Sequence, residues 1–160
     1  MLKTAHSDIF KDLPDRSIIL QIVNCEGSAE TGLPGECRKR YLQWYLNYKE
    51  QCEWFKYDYL ESIMGSFHSF SQNENLKICS IFAIDTVTKA RPMIDFKSVE
   101  TALRKIERQA RHVNSVMNTN WILHVQKTND GFFDDWPRFY ELLEYFFKES
   151  PVELWIHECK

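Results

Sequence analysis

The sequence predicts a three-layer α/β/α domain built on a central mixed sheet. Short apolar runs alternate with helical patterns along the whole chain, and no repeat or low-complexity segment interrupts them. Two of those runs, Ile18 to Val23 and Leu76 to Ile84, are apolar almost throughout, as strands covered on both faces must be. Between Asp95 and Asn114, the residues Phe96, Val99, Leu103, Ile106 and Ala110 recur at helical spacing with Arg and Lys between them. At 160 residues with 44% hydrophobic content, the chain is long enough to bury a core as one domain over 1–160.

The elements follow in order. Met1 to Thr4 reads as a short first strand, and Lys11 to Arg16 as a turn bent by Pro14 and Asp15. Ile18 to Val23 is a buried strand. Gly35 to about Phe55 then shows helical spacing, with Tyr41, Trp44, Tyr45, Tyr48 and Cys52 near one face and a break near Asn47. Tyr57 to Met64 fits more than one state. The Ser, Asn and Gln content of Gly65 to Asn75 predicts a polar loop. Leu76 to Ile84 is a central strand, Thr86 to Pro92 a loop, and Asp95 to Asn114 the amphipathic helix. Trp121 to Val125 is a short strand and Gln126 to Asp135 a loop with one glycine. Trp136 to Phe147 is a helix with Phe139, Leu142, Leu143 and Phe146 inward, and Val152 to His157 a final strand.

Composition narrows the function classes. A net charge of −3 offers no global attraction to nucleic acid or anionic lipid, so neither is expected as a partner. The longest apolar runs fall far short of a membrane span. Residues 1–10 are too polar for a secretory signal, which predicts an intracellular protein, cytoplasmic or nuclear. The cysteines (Cys25, Cys37, Cys52, Cys79 and Cys159) are odd in number and form no C-x-x-C pair. Reduced thiols are expected, with neither a disulfide framework nor a metal site. No cofactor is called for.

The most informative stretch runs from Leu20 to Gly35. A strand stops at Asn24, a loop carrying Gly27, Gly32 and Gly35 follows, and a helix opens. Backbone N–H groups converge on negative charge at such strand-to-helix turns, and glycines let a bulky ligand come close. Asn24 serves either a ligand or the backbone of its own turn. Cys25 beside it has no histidine near in sequence and reads as a buried structural thiol more than a nucleophile. Arg38-Lys39-Arg40 reads as a solvated face and the Tyr41, Trp44, Tyr45, Tyr48 stripe as core or partner surface.

Three segments together resemble the macro domain family of ADP-ribose-binding modules. Ser7-Asp8-Ile9-Phe10 is similar to the family's Gly-Asp-Ile element, whose carboxylate accepts from the adenine amino group. Val23-Asn24-Cys25-Glu26-Gly27 resembles the Val-Asn-Ala-Ala-Asn element, whose asparagine contacts the distal ribose. Asn129-Asp130-Gly131-Phe132-Phe133, followed by Trp136, resembles the second glycine-bearing loop. The nearest resemblance is to the yeast-type ADP-ribose 1''-phosphate phosphatase and terminal ADP-ribose protein glycohydrolase subgroup, through Asn24-Cys-Glu-Gly-Ser28 and the basic-aromatic helix after it. The resemblance implies ADP-ribose or an ADP-ribosyl derivative as ligand, and an ADP-ribosylated protein as a further partner. Ligand contacts are implied for Asp8, Ile9, Asn24, Gly27, Ser28, Thr31, Gly32 and Leu33, and for Thr128, Asn129, Gly131, Phe132 and Phe133.

Departures accompany the matches. Glu30 and Thr31 replace neighbouring glycines of the first loop, and a carboxylate there repels a diphosphate unless it turns outward. Lys127 in the second loop either offsets phosphate charge or faces solvent. The nucleophilic lysine implied by the glycohydrolase branch has only Lys89 near its place, and Gln21 stands where the phosphatase branch has histidine. The remaining catalytic candidates are Asp134 first and Asp130 second, as general bases toward water. Three functions stay open: a hydrolase of ADP-ribose derivatives, a reader that binds without cleaving, and an interaction protein with a closed pocket.

Overall fold

The computed structural model describes residues 1–11, 13–58, 63–86, 93–127 and 135–158. Its strands are β1 (Leu2–Ala5), β2 (Ser17–Asn24), β3 (Phe67–Asn73), β4 (Leu76–Ile84), β5 (Ile122–Gln126) and β6 (Leu154–His157). The helices among the described residues are α1 (Gly32–Arg40), α2 (Leu42–Asp58), α3 (Phe96–Met117) and α4 (Trp136–Phe147). The strands form one six-stranded sheet in the order β1-β6-β5-β2-β4-β3. Every neighbouring pair is parallel except β3 with β4.

Alternation along each strand divides the core in two. Leu20, Ile22, Ile81 and Leu123 face α3 and α4, meeting Val99, Leu103, Ile106, Phe139, Leu143 and Phe147. Ile19, Val23, Ile78 and Phe82 face the other way, toward Trp44, Tyr48 and Cys52 of α2 and toward Ile9. Each such side chain, fully buried, contributes about 1.5–3 kcal/mol. The expected three layers are therefore present. No helix among the described residues is long and apolar enough to cross a membrane.

Two expectations are corrected. Residues 67–73, read as a polar loop, form β3, an edge strand paired only with β4. Its polar residues are tolerated because an edge strand is half solvated, and composition alone then mimics a loop. The long helix is two helices, and the break is at Tyr41 rather than Asn47. Tyr41 leaves helical geometry at φ −132° and ψ 70° while its N–H still donates to Cys37 O at 2.7 Å. The first helix also starts earlier, at Gly32. Pro34 and Gly35 argue against a helix by propensity, but in the first turn a missing N–H costs nothing. The amphipathic helix begins where expected, with Asp95 accepting from Lys97 N–H at 3.3 Å and from the Ser98 hydroxyl at 2.7 Å.

The topology opens a crevice at one place. β2 pairs with β5 only over Ser17–Ile19, against Ile122–His124. The connection leaving β2 packs α2 on one face, whereas α4, leaving β5, packs on the other. Adjacent parallel strands whose connections depart to opposite sides leave a cleft at their carboxyl ends.

The sheet face opposite α3 and α4 also carries a polar cluster. His124 and His157 are 0% and 2% exposed. The Ser17 hydroxyl donates to Pro14 O at 2.6 Å, so it accepts from His124 Nε2–H at 3.1 Å. That leaves His124 Nδ1 to accept from His157 Nε2–H at 2.9 Å. The chain of bonds fixes His124 as the neutral Nε2–H tautomer, with His157 as a donor through Nε2. Burial, then the neighbouring His157, brings His124 down to about 4. Burial likewise holds His157 below the ordinary histidine value.

Candidate functional site

The site is organised by Asn24 at the end of β2. The β2–β4 register shifts between Val23 and Asn24, with Val23 opposite Phe82 and Asn24 opposite Ile84. The extra residue, Ala83, is on β4, so Ala83 and Ile84 both join the core under α3 and α4, while Asn24 ends β2 facing Tyr48 of α2. Asn24 Oδ1 accepts from Glu26 N–H at 3.1 Å and Ser28 N–H at 3.2 Å, and Nδ2 donates to Ser28 O at 2.8 Å. The Tyr48 hydroxyl shares its proton between Asn24 O at 2.7 Å and Oδ1 at 2.9 Å. Burial raises the Tyr48 pKa, which keeps that hydroxyl a donor. Its ring is stacked on Trp44 with centroids 5.3 Å apart and planes 1° apart. The core thus fixes the turn.

Two glycines close the loop. Gly27 has φ +80°, and a Cβ there would meet Lys49 Cγ at 3.1 Å. A Cβ on Gly35 would lie 2.9 Å from the carbonyl carbon and oxygen of Glu30, so only glycine lets the loop settle on the first turn of α1. At the start of that helix the Thr31 side chain makes no cap, and no acidic residue occupies the first turn. Helix geometry leaves the N–H groups of Gly32 and Leu33 without an intrahelical acceptor.

These parts enclose a cavity of about 220 Å³. Its walls are Ile22 to Asn24, Glu26, Ser28 to Gly32 and Pro34, with Ile84 and Thr86 at the end of β4. Glu26 and Glu30 are exposed carboxylates, and no Lys, Arg or His stands among the described lining residues. The Thr86 hydroxyl is buried without a partner among the described residues.

No protein-family model matches the sequence, and no curated protein matches it either. Among solved structures the chain is similar to a macrodomain protein from Streptomyces coelicolor, at 12% identity and TM-score 0.75 over 100% of both chains. It is also similar to the macrodomain of Thermus aquaticus DarG, at 14% identity and TM-score 0.72 over 98% of this chain and 97% of that one. The fold is that of a macrodomain. Thermosipho africanus DarTG in complex with ADP-ribose shares this macrodomain fold at 15% identity and TM-score 0.71, over 98% of this chain and 41% of the other.

Within this macrodomain fold, Asn24, Ser28, Thr31 and Gly32 meet at this same cavity. Gly27 lies in the same loop against Lys49. Leu33 lines a smaller hollow of about 20 Å³ between β2 and β5. Ile9 is core, 1% exposed. Asp8 is exposed in the turn after β1, its Oδ1 accepting from Phe10 N–H at 2.8 Å, and it does not line the cavity. β1, the strand before it, stands three strand positions from β2, roughly 14 Å. Thr128, Asn129, Asp130, Gly131, Phe132, Phe133 and Asp134 lie outside the described residues, as does Lys89.

The remaining candidates have structural duties. Lys127 pairs with Glu158 at 3.3 Å. Gln21 Nε2 and Trp44 Nε1 both donate to Ser80 Oγ, at 3.1 and 3.2 Å, tying β2, β4 and α2 together. Cys25 is 1% exposed and burial pushes its thiol up to about 12, so it is no nucleophile near neutral pH. Arg38 lies over the Tyr45 ring at 4.1 Å and Arg40 over Phe10 at 4.3 Å. Tyr48, whose polar tip holds Asn24, is the site residue that helical spacing alone assigned to core or partner surface. The signal available was chemical: a buried tyrosine hydroxyl needs a partner.

Proposed function

We propose that the cavity binds ADP-ribose, free or attached to a protein, with residues 1–160 acting as a single macro-like domain. The observation that carries the reading is the meeting of the Asn24-ordered turn with the open amino terminus of α1, at the carboxyl edge of the sheet. Asn24 Nδ2 has a second proton for the distal ribose. The N–H groups of Gly32 and Leu33, at the positive end of α1, suit the diphosphate. A drug-sized ligand needs about 300–1,000 Å³, so 220 Å³ suits the ribose–phosphate end. The adenine then extends along the sheet edge toward Asp8, whose second carboxylate oxygen suits its amino group.

Cleavage is the finer step of this reading. In it, Asp134 or Asp130 activates a water that releases either ADP-ribose from a protein or a terminal phosphate from ADP-ribose 1''-phosphate. The motif Asn24-Cys-Glu-Gly-Ser28 supports the corresponding subgroup.

Thermal unfolding with added ADP-ribose is the direct test. Ligand at a hundred times its Kd stabilises a one-site protein by about 2.7 kcal/mol, which raises Tm by several degrees. An unchanged Tm at millimolar ADP-ribose overturns the binding reading. Product release lost in Asp134→Ala supports hydrolysis, whereas stabilisation without turnover identifies a reader.

A further inference from the structure

We infer that this site selects a distal ribose carrying no phosphate over one bearing a terminal phosphate monoester, with Glu26 and Glu30 as the specificity-determining residues. The inference rests on the ADP-ribose reading above and decides between ligands of that same cavity.

The argument begins with charge. Both glutamates line the cavity and are exposed, and its described lining contains no basic side chain. Neither Lys49 nor Lys127 is among the described lining residues. Lys127 is bonded to Glu158 at 3.3 Å, and Lys49, outside the lining, packs its stem on Gly27. The α1 amino terminus offers one set of N–H groups, and the ligand's own diphosphate uses them.

Position matters equally. Glu26 is held through its amide by Asn24 Oδ1 at 3.1 Å, so it belongs to the same turn as the group assigned to the distal ribose. Glu30 directly precedes the helix cap Thr31, and its carbonyl is seated against Gly35. A phosphate ester on that ribose brings a second dianion into a turn flanked by two carboxylates. Like charges lining one cavity disfavour binding, and added salt weakens the effect.

The same groups favour hydroxyls. A carboxylate accepts hydrogen bonds from a vicinal diol, as acidic residues do for ribose in dinucleotide sites. The described lining therefore offers acceptors to a sugar diol and opposes a phosphate.

Calorimetric titration with ADP-ribose and with ADP-ribose 1''-phosphate tests this on the wild-type chain, Glu26→Gln, Glu30→Gln and the double variant. The wild type should bind ADP-ribose about tenfold more tightly than the phosphate ester, with the gap narrowing as salt rises. The double variant should bring the two affinities within about threefold, through a gain for the phosphate ester. Both substitutions are at exposed positions, and the salt series needs no variant at all. A wild type that binds the phosphate ester as tightly as ADP-ribose, or a ratio unchanged in the double variant, overturns the inference while leaving ADP-ribose binding intact. Failure of both ligands to bind overturns the parent reading and this one with it.

Discussion

Asn24→Ala is expected to lower stability by about 2–3 kcal/mol and ADP-ribose affinity about a hundredfold. The side chain holds two N–H groups and a carbonyl of its own turn, together with the buried Tyr48 hydroxyl. Alanine leaves these groups to find water or go unpaired, and the turn must then be ordered at the ligand's expense. Tyr48→Phe removes only the hydroxyl and keeps the stack on Trp44, so a loss of about 1 kcal/mol is expected. Asn24→Asp separates turn from ligand: it keeps the acceptor oxygen but loses the amide protons and adds a charge. Its carboxylate also faces Ser28 O in place of the amide donor, so stability between that of the wild type and Asn24→Ala, with weak ADP-ribose binding, is the expected result. Urea denaturation and calorimetry on the three variants decide the matter. An Asn24→Ala chain that unfolds and binds like the wild type would show the turn to be held by something else.

Stability should fall by about 2 kcal/mol between pH 7 and pH 5 through His124 alone. Its folded pKa, about 4, lies below the ordinary value of 6.5, so the native ring stays neutral while the unfolded one takes up a proton. The unfolded state therefore binds more protons as pH drops, and stability present above pH 6.5 is lost toward pH 4. His157, lowered in the same direction, adds to the slope. The window from pH 7 to 5 lies above ordinary carboxylate titration, which keeps the effect assignable. His124→Gln retains an acceptor for His157 and a donor for Ser17 but does not titrate, so its stability should change less over that interval. An equal slope in wild type and His124→Gln would refute the assignment.

Much of this fold was legible because its strongest signals are apolar and periodic. β2 and β4 bury nearly all their apolar residues and α3 those from Phe96 to Ala110, and their patterns say so without tertiary knowledge. β3 was hidden because its residues Phe67–Asn73 answer to one partner strand and to water. The start of α1 was hidden because Gly32, Pro34 and Gly35 were chosen for a loop contact rather than for helicity. Asn24 could be picked out at a strand end before a glycine loop. The acidity of the cavity was half legible, through Glu30. Glu26 and the Tyr48 bond required coordinates, because spacing along a helix does not show what a side chain's tip touches.

Cys25 and Cys52 are buried at the Asn24 turn, and the Cys52 thiol reaches Asn24 O at 3.9 Å. Burial pushes both up to about 12, so neither is an available thiolate while the turn is shut. Alkylation of these sulfurs in native conditions consequently times spontaneous openings of that segment, one excursion at a time. A molecule seated on that turn should slow the clock without touching either sulfur.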